Sequence, residues 1–260
     1  METTTKIKID VYDLERQGRG SFDNGKILES KPIDFPGGTS ESRRIGPLFY
    51  WSWATAKGDG VISMHPHQAF EIVSYVLEGI VGHSDSLKNK TRVGPGGAQL
   101  IQAGSGIYHQ EEMYGDVTDF FQIWFEPDIR DTIKHKPNYA QIENEEFPVE
   151  QRNGVKIKSV IGNDSPLQIV ADVIAHDISI EAGKTFKQEL KSGKTLAIAT
   201  VAGNGSIIAD ESEAVISYKD FSVIKASEDS LIEFKSTEGI DLRIFVIEVP
   251  LKVDYPLYGE

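Results

Sequence analysis

Short runs of β-branched and aromatic residues, broken at frequent intervals by Gly, Pro, Asn and Asp, extend through almost the whole chain. That is the pattern of a β-sandwich or barrel, and helix is expected to be scarce. In the first half it predicts strands at 60–64, 70–77, 80–83, 98–102, 106–111 and 119–125. Over the last of these Phe120, Gln122 and Trp124 alternate with Phe121, Ile123 and Phe125, the period of two that a strand imposes. The polar segment SDSLKNKT at 84–91 follows an apolar run as a hairpin connection should, and GPGG at 94–97 and AGSG at 103–106 mark further turns. From 127 to 148 the alternation is lost and the sequence becomes charged and carries three prolines, so this stretch reads as an inter-domain connection with a helical turn at 128–134. Strands then resume at 156–161, 167–174, 176–180, 194–201, 206–209, 214–217, 221–224, 231–235 and 241–249. They predict a second β domain.

Composition narrows the function. At 260 residues and 39% hydrophobic, with apolar residues spread along the whole chain, two cores are within reach. A formal net charge of -13, with no dense Lys/Arg cluster, repels phosphate backbones and argues against direct nucleic-acid binding. There is no cysteine, which excludes disulfides, thiolate metal sites and cysteine nucleophiles, so any metal chemistry falls to His and carboxylate. The N-terminal stretch METTTKIKIDVYDLERQ has no apolar signal region, and no apolar run approaches the ~20 residues of a membrane span. The chain is therefore expected to be soluble and cytoplasmic.

His65 and His67 are one residue apart, a spacing that puts both imidazoles on one face of a strand, about 6–7 Å apart along it. His109 and Glu111 repeat the spacing. Two neighbouring strands can thus each present a pair of ligands to one interior, and three His with one carboxylate leave coordination positions open for chemistry. An isolated His is more often a surface or hydrogen-bonded residue, and the pairing is what lifts these above that reading. Glu71 competes with Glu111 for the fourth place. On an unbroken strand it lies ~13 Å beyond His67, so it is expected instead to orient an imidazole from behind.

The stretch HPHQAFEIVSYVLEGIVGHSDS, followed by VGPGGAQLIQAGSGIYHQEE, resembles the pirin family, whose pattern runs H-P-H-x-x-F-E, Y-x-L-E-G, H-x-D-S, P-G and A-G-x-G-I-x-H-x-E. The likeness is strong over residues 44–125 and weaker beyond. It implies an all-β bicupin of two jelly-roll barrels packed face to face: an N-terminal cupin domain at 1–135 carrying the metal, and a cupin-like domain at 136–260 without one. The family's ligand positions fall on His65, His67, His109 and Glu111. One divalent transition metal is implied, iron(II) first, with Mn, Co, Ni, Cu and Zn as alternatives. Where the second domain reads TFKQELKSG no metal pair occurs, and His176 is expected to be structural.

Several pirins are quercetin 2,3-dioxygenases, which open a flavonol ring with dioxygen and release carbon monoxide. That resemblance makes a small aromatic substrate and O2 the expected partners; Glu111, as ligand or after partial release, is the candidate catalytic acceptor of the hydroxyl proton, a task that wants a carboxylate with a raised pKa. The alternative the family offers is a non-catalytic metal protein, a regulatory cofactor or redox sensor working through a protein partner; another cupin oxygenase or isomerase remains open. Phe49, Tyr50, Trp51, Trp53, Phe70, Tyr108 and Phe121 are candidate aromatic walls, most of them expected to fill core. His83 is expected to be a hydrogen-bonded strand-end residue. Lys88 stands where pirins carry Gly in the hairpin tip, which predicts a different turn there. The ending DYPLYGE lacks the longer tail of many pirins and is similar to that of the shorter bacterial and archaeal members.

Overall fold

The computed structural model describes residues 7–162 and 164–259. Strands make up nearly all its regular structure; the one α-helical element, Ile129–Thr132, lies within the helical turn predicted at 128–134. No helix among the described residues is long and apolar enough to cross a membrane.

Contacts divide the chain into two compact units, and the division differs from a cut at 135/136. One unit holds the described residues of Arg16–Phe147, Pro166–Ala171 and Val253–Glu260; the other holds those of Met1–Glu15, Pro148–Ser165 and Asp172–Lys252. Strand pairing explains the difference. Ile7–Tyr12 pairs antiparallel with Phe221–Ala226, which puts the first strand with the C-terminal half. Asn138–Ile142, read from sequence as connection, pairs with Ala98–Gln102. Residues 167–173, read as most of a strand, form none; the buried Glu71 carboxylate accepts the backbone N–H groups of Val170 and Ala171 instead.

In the unit that carries the histidine pairs, one sheet runs in the order Asn138–Ile142, Ala98–Gln102, Glu71–Asp85, Ile107–Phe125, Leu48–Lys57, Ile27–Ile33, Gly18–Phe22. The strand Gly60–His67 is added on Ile107–Phe125. Four predicted strands merge into two long ones, Glu71–Asp85 and Ile107–Phe125, which stay paired from Glu71 opposite Phe125 to Asp85 opposite His109. Both bend at a glycine. Gly79 has φ 75, and a Cβ there would meet the Val117 carbonyl oxygen at 2.5 Å, so the bend requires glycine. On both sides of the bend, Ile27, Ile62, Val76, Val81, Met113 and Phe120 share one buried cluster.

The hairpin tip corrects one expectation. Lys88 adopts φ 72, the left-handed conformation that glycine takes freely, so the turn keeps a conformation suited to glycine with a lysine in it. Asp85 holds the tip, accepting the N–H groups of Leu87 and Asn89 and the Asn89 amide. Lys88→Gly is expected to stabilise the protein by about 1 kcal/mol, read as a higher urea midpoint at unchanged slope.

The other unit is built from a seven-stranded and a four-stranded antiparallel sheet. Its buried cluster is aliphatic and aromatic throughout, with Phe186, Leu190, Ile198, Ile232 and Phe234 among its members. His176 lies half-buried on Ile174–Ile180.

Candidate metal centre

The Gly60–His67 and Ile107–Phe125 strands place His65 directly opposite His109. Their register shifts between Ile62 and His65, with Ile62 opposite Glu111, so Ser63 and Met64 together oppose the single residue Gln110. This bulge re-aims the end of the strand. The ring centroids of His65 and His67 lie 4.7 Å apart, those of His65 and His109 4.3 Å, and those of His67 and His109 4.8 Å. One ligand nitrogen from each lies within 4.8 Å of the other two, near the roughly 4.2 Å diameter of a coordination sphere built on 2.1 Å bonds.

The hydrogen bonds leave the right atoms free. His65 Nδ1 lies 2.8 Å from the Ser63 carbonyl oxygen, which can only accept, so its Nε2 carries the lone pair. His83 Nε2 faces Asp85 Oδ2 at 2.8 Å and donates to it, leaving His83 Nδ1 as an acceptor. His109 Nδ1 lies 3.4 Å from that nitrogen and donates across a long hydrogen bond, which leaves His109 Nε2 unprotonated. Both His67 Nε2 and His109 Nε2 are buried without any hydrogen-bond partner. Unpaired buried polar atoms are costly, and a cation shared by the three rings removes that cost. The three imidazoles therefore form a site that can hold a metal ion.

Glu111 lies outside that group of three. Its carboxylate is buried, 1% exposed, and receives Gln122 Nε2 at 2.8 Å on each oxygen and the Ser74 hydroxyl at 3.3 Å. Trp124 Nε1, which can only donate, bonds Gln122 Oε1 at 3.0 Å and so fixes the amide with its NH2 toward Glu111. Burial pushes the Glu111 carboxyl up to about 7, against the lowering effect of Gln122 and Ser74. Gln122 and Trp124 were legible in sequence only as members of an alternating strand.

A cavity of about 630 Å³ adjoins these groups, lined by His65, His67, Glu111, Gln122 and Trp124 with Phe22, Glu29, Phe35, Tyr50 and Phe120 among others. Of the seven aromatic residues named from sequence, Tyr50 alone lines it. Trp51, Trp53 and Phe121 are buried and pack on one another, Phe49 stacks near Phe70 with centroids 4.8 Å apart, and Tyr108 is exposed. Glu71 is corrected as well. Its partners are Gln102, Val170 and Ala171, not an imidazole, because the chain turns at Ala69, φ 68, and starts a new strand at Glu71.

Burial, together with the neighbouring imidazoles, holds His67 down to about 3 and His109 to about 2. Both rings are neutral at any ordinary pH. Their unfolded counterparts take up protons near 6.5, so the metal-free fold loses stability as pH falls from about 6.5 toward 3. Glu111 offsets part of this, since the folded carboxyl gains its proton nearer pH 7 than the unfolded one does. Melting curves of chelator-treated protein should show the midpoint falling below pH 6.5, before ordinary carboxylates titrate.

An antiparallel sheet carrying three convergent imidazoles beside a cavity is the arrangement of a cupin whose histidines could hold a metal ion. The Pirin family model matches residues 52–125. The chain is 32% identical over 173 residues, 65% of its length and 72% of the relative's, to a Pseudomonas aeruginosa protein named putative quercetin 2,3-dioxygenase. A second P. aeruginosa protein so named is 28% identical over 96% of this chain and 90% of its own. A bacterial pirin from Escherichia coli, solved in complex with nickel(II), superposes with a TM-score of 0.75 at 22% identity, covering 95% of this chain and all of that one. The chain belongs to the pirin family.

Proposed function

We propose that the protein is a metal-dependent dioxygenase that opens flavonol-type rings with dioxygen and releases carbon monoxide, with His65, His67, His109 and Glu111 as metal ligands and iron(II) as the first candidate. The observation that carries this reading is the pair of buried, partnerless Nε2 atoms on His67 and His109 beside a cavity large enough for a three-ring aromatic molecule. The names of the relatives support it. Neutral imidazoles and a carboxylate suit several divalent ions, so supply and geometry choose among them.

When bound, the ion supplies Lewis acidity toward a substrate hydroxyl and a path for electron density between substrate and dioxygen. The protein supplies the rest. Trp124 meets His67 edge-on at 4.7 Å and, with Phe35 and Tyr50, offers flat apolar walls for an aromatic ring. Glu111, as a ligand or after partial release, is the group placed to take the hydroxyl proton; burial raises its pKa in the metal-free protein, and a bound cation would act in the opposite direction. Gln122 steadies the carboxylate through that transfer, because its NH2 bonds either oxygen.

Protein loaded with iron(II) under anaerobic conditions and then exposed to air should consume quercetin and release carbon monoxide in equal amounts. No turnover with iron, manganese, cobalt, nickel or copper would replace this reading with that of a metal-bearing interaction protein.

A further inference from the structure

A second carboxylate faces the same cavity, and the dioxygenase reading does not use it. Glu29, on Ile27–Ile33, is 7% exposed and lines the cavity together with Glu111. Its Oε1 accepts the Tyr50 hydroxyl at 3.3 Å. Its Oε2 is buried with no hydrogen-bond partner of good geometry, although the equally unpartnered Ser52 hydroxyl is a neighbour of the carboxyl, and the cation beside it, Lys31 Nζ, stands 4.0 Å away and also serves Asp34 at 3.5 Å. One lysine thus faces two carboxylates, and an oxygen with unused lone pairs looks for a donor. Oε2 lies against the neighbouring strand, where a Cβ on Gly20 would come within 2.5 Å of it, so a glycine there keeps the oxygen clear of a side chain. The aromatic contacts run continuously from the metal ligands to this group, since Trp124 touches His67 on one side and Tyr50 on the other, with centroids 4.7 and 5.5 Å apart.

We propose that Glu29 is a specificity anchor, its Oε2 accepting a hydrogen bond from a phenolic hydroxyl of an aromatic ligand whose rings lie against Trp124 and Tyr50. A carboxylate only accepts, so the pocket selects ligands that carry ring hydroxyls in addition to the one presented to the metal site. This takes its ligand class from the flavonol reading, but it concerns binding and needs no turnover.

The test measures anaerobic binding of two flavonols to cobalt(II)-loaded protein by quenching of tryptophan fluorescence. Quercetin carries two hydroxyls on its pendant ring and galangin carries none there. The parent should bind quercetin about tenfold or more tightly than galangin, the range of one charge-assisted hydrogen bond. Glu29→Gln should erase that preference while leaving galangin affinity within about twofold. Gly20→Ala, whose Cβ would come within 2.5 Å of Oε2, keeps the carboxylate but covers that oxygen, so it should lose the preference and serves as the readout if Glu29→Gln fails to fold; full preference in Gly20→Ala overturns the proposal. Equal weakening of both ligands in Glu29→Gln, or a parent without preference, overturns the proposal. Preference without turnover in air sinks the dioxygenase reading alone, and turnover without a Glu29-dependent preference sinks this one alone.

Discussion

His65→Ala protein is expected to bind divalent metal at least about a hundredfold more weakly than its parent while folding almost as well. Structural four-ligand sites hold zinc with apparent free energies of roughly 10–16 kcal/mol, so one ligand accounts for about 3 kcal/mol, which is about two decades in Kd. Among the three imidazoles His65 is the one to remove. It is half-buried, and its Nδ1 bonds the carbonyl of Ser63, an exposed residue, so its loss strands no buried partner. His109→Ala would confound the result, because His109 is 1% exposed and its loss leaves both a cavity and an unpaired His83 nitrogen. The measurement is a competition titration against a chromophoric chelator, with a melting curve as control. Unchanged affinity in a folded variant would mean that the three-imidazole cluster is not the site, and the dioxygenase reading would fall with it.

Parts of this site are visible in the sequence and parts are not, for physical reasons. A strand carries side chains to alternate faces, so His65 with His67, and His109 with Glu111, are pairs that spacing alone puts on one side. Which strands are neighbours, and that His65 faces His109 across a bulge at Ser63 and Met64, depends on pairing that spacing does not encode. The Glu71 expectation failed because it extended one strand through Ala69, where the backbone turns left-handed. The cavity wall was missed for a different reason. Leu48–Lys57 is buried on both faces over most of its length, so its apolar run LFYWSWA carries no alternation to tell Tyr50, which lines the cavity, from Trp51, which does not. Glu29 lay in a segment whose mixed sequence, ILESKPI, gives no strand signal at all. Gln122 and Trp124 did lie in a recognised alternation with Phe120, and all three line the cavity; what alternation cannot say is which of its two faces that will be.

His83→Phe is expected to lower metal affinity about 10- to 100-fold without touching a ligand. The reason is a chain of acceptors. Asp85 accepts a hydrogen bond from His83 Nε2–H, which leaves His83 Nδ1 bare to accept from His109 Nδ1, and this holds the His109 proton away from the nitrogen that faces the other imidazoles. Without the His83 acceptor, His109 is free to carry its proton on Nε2, and every molecule in that tautomer must shed it before binding a cation. Phenylalanine is the informative replacement because His83 stacks on Tyr139 at 4.0 Å, nearly parallel, and a phenyl ring preserves that stack. Asp85→Asn would be harder to read, since Asp85 also ties down the hairpin tip through Leu87 and Asn89. Nitrogen-15 spectra of the metal-free protein give the discriminating signal: His109 should be a single Nδ1–H tautomer in the parent and a mixture in His83→Phe. A single tautomer in both, or a metal affinity within twofold of the parent, would assign His83 to packing alone.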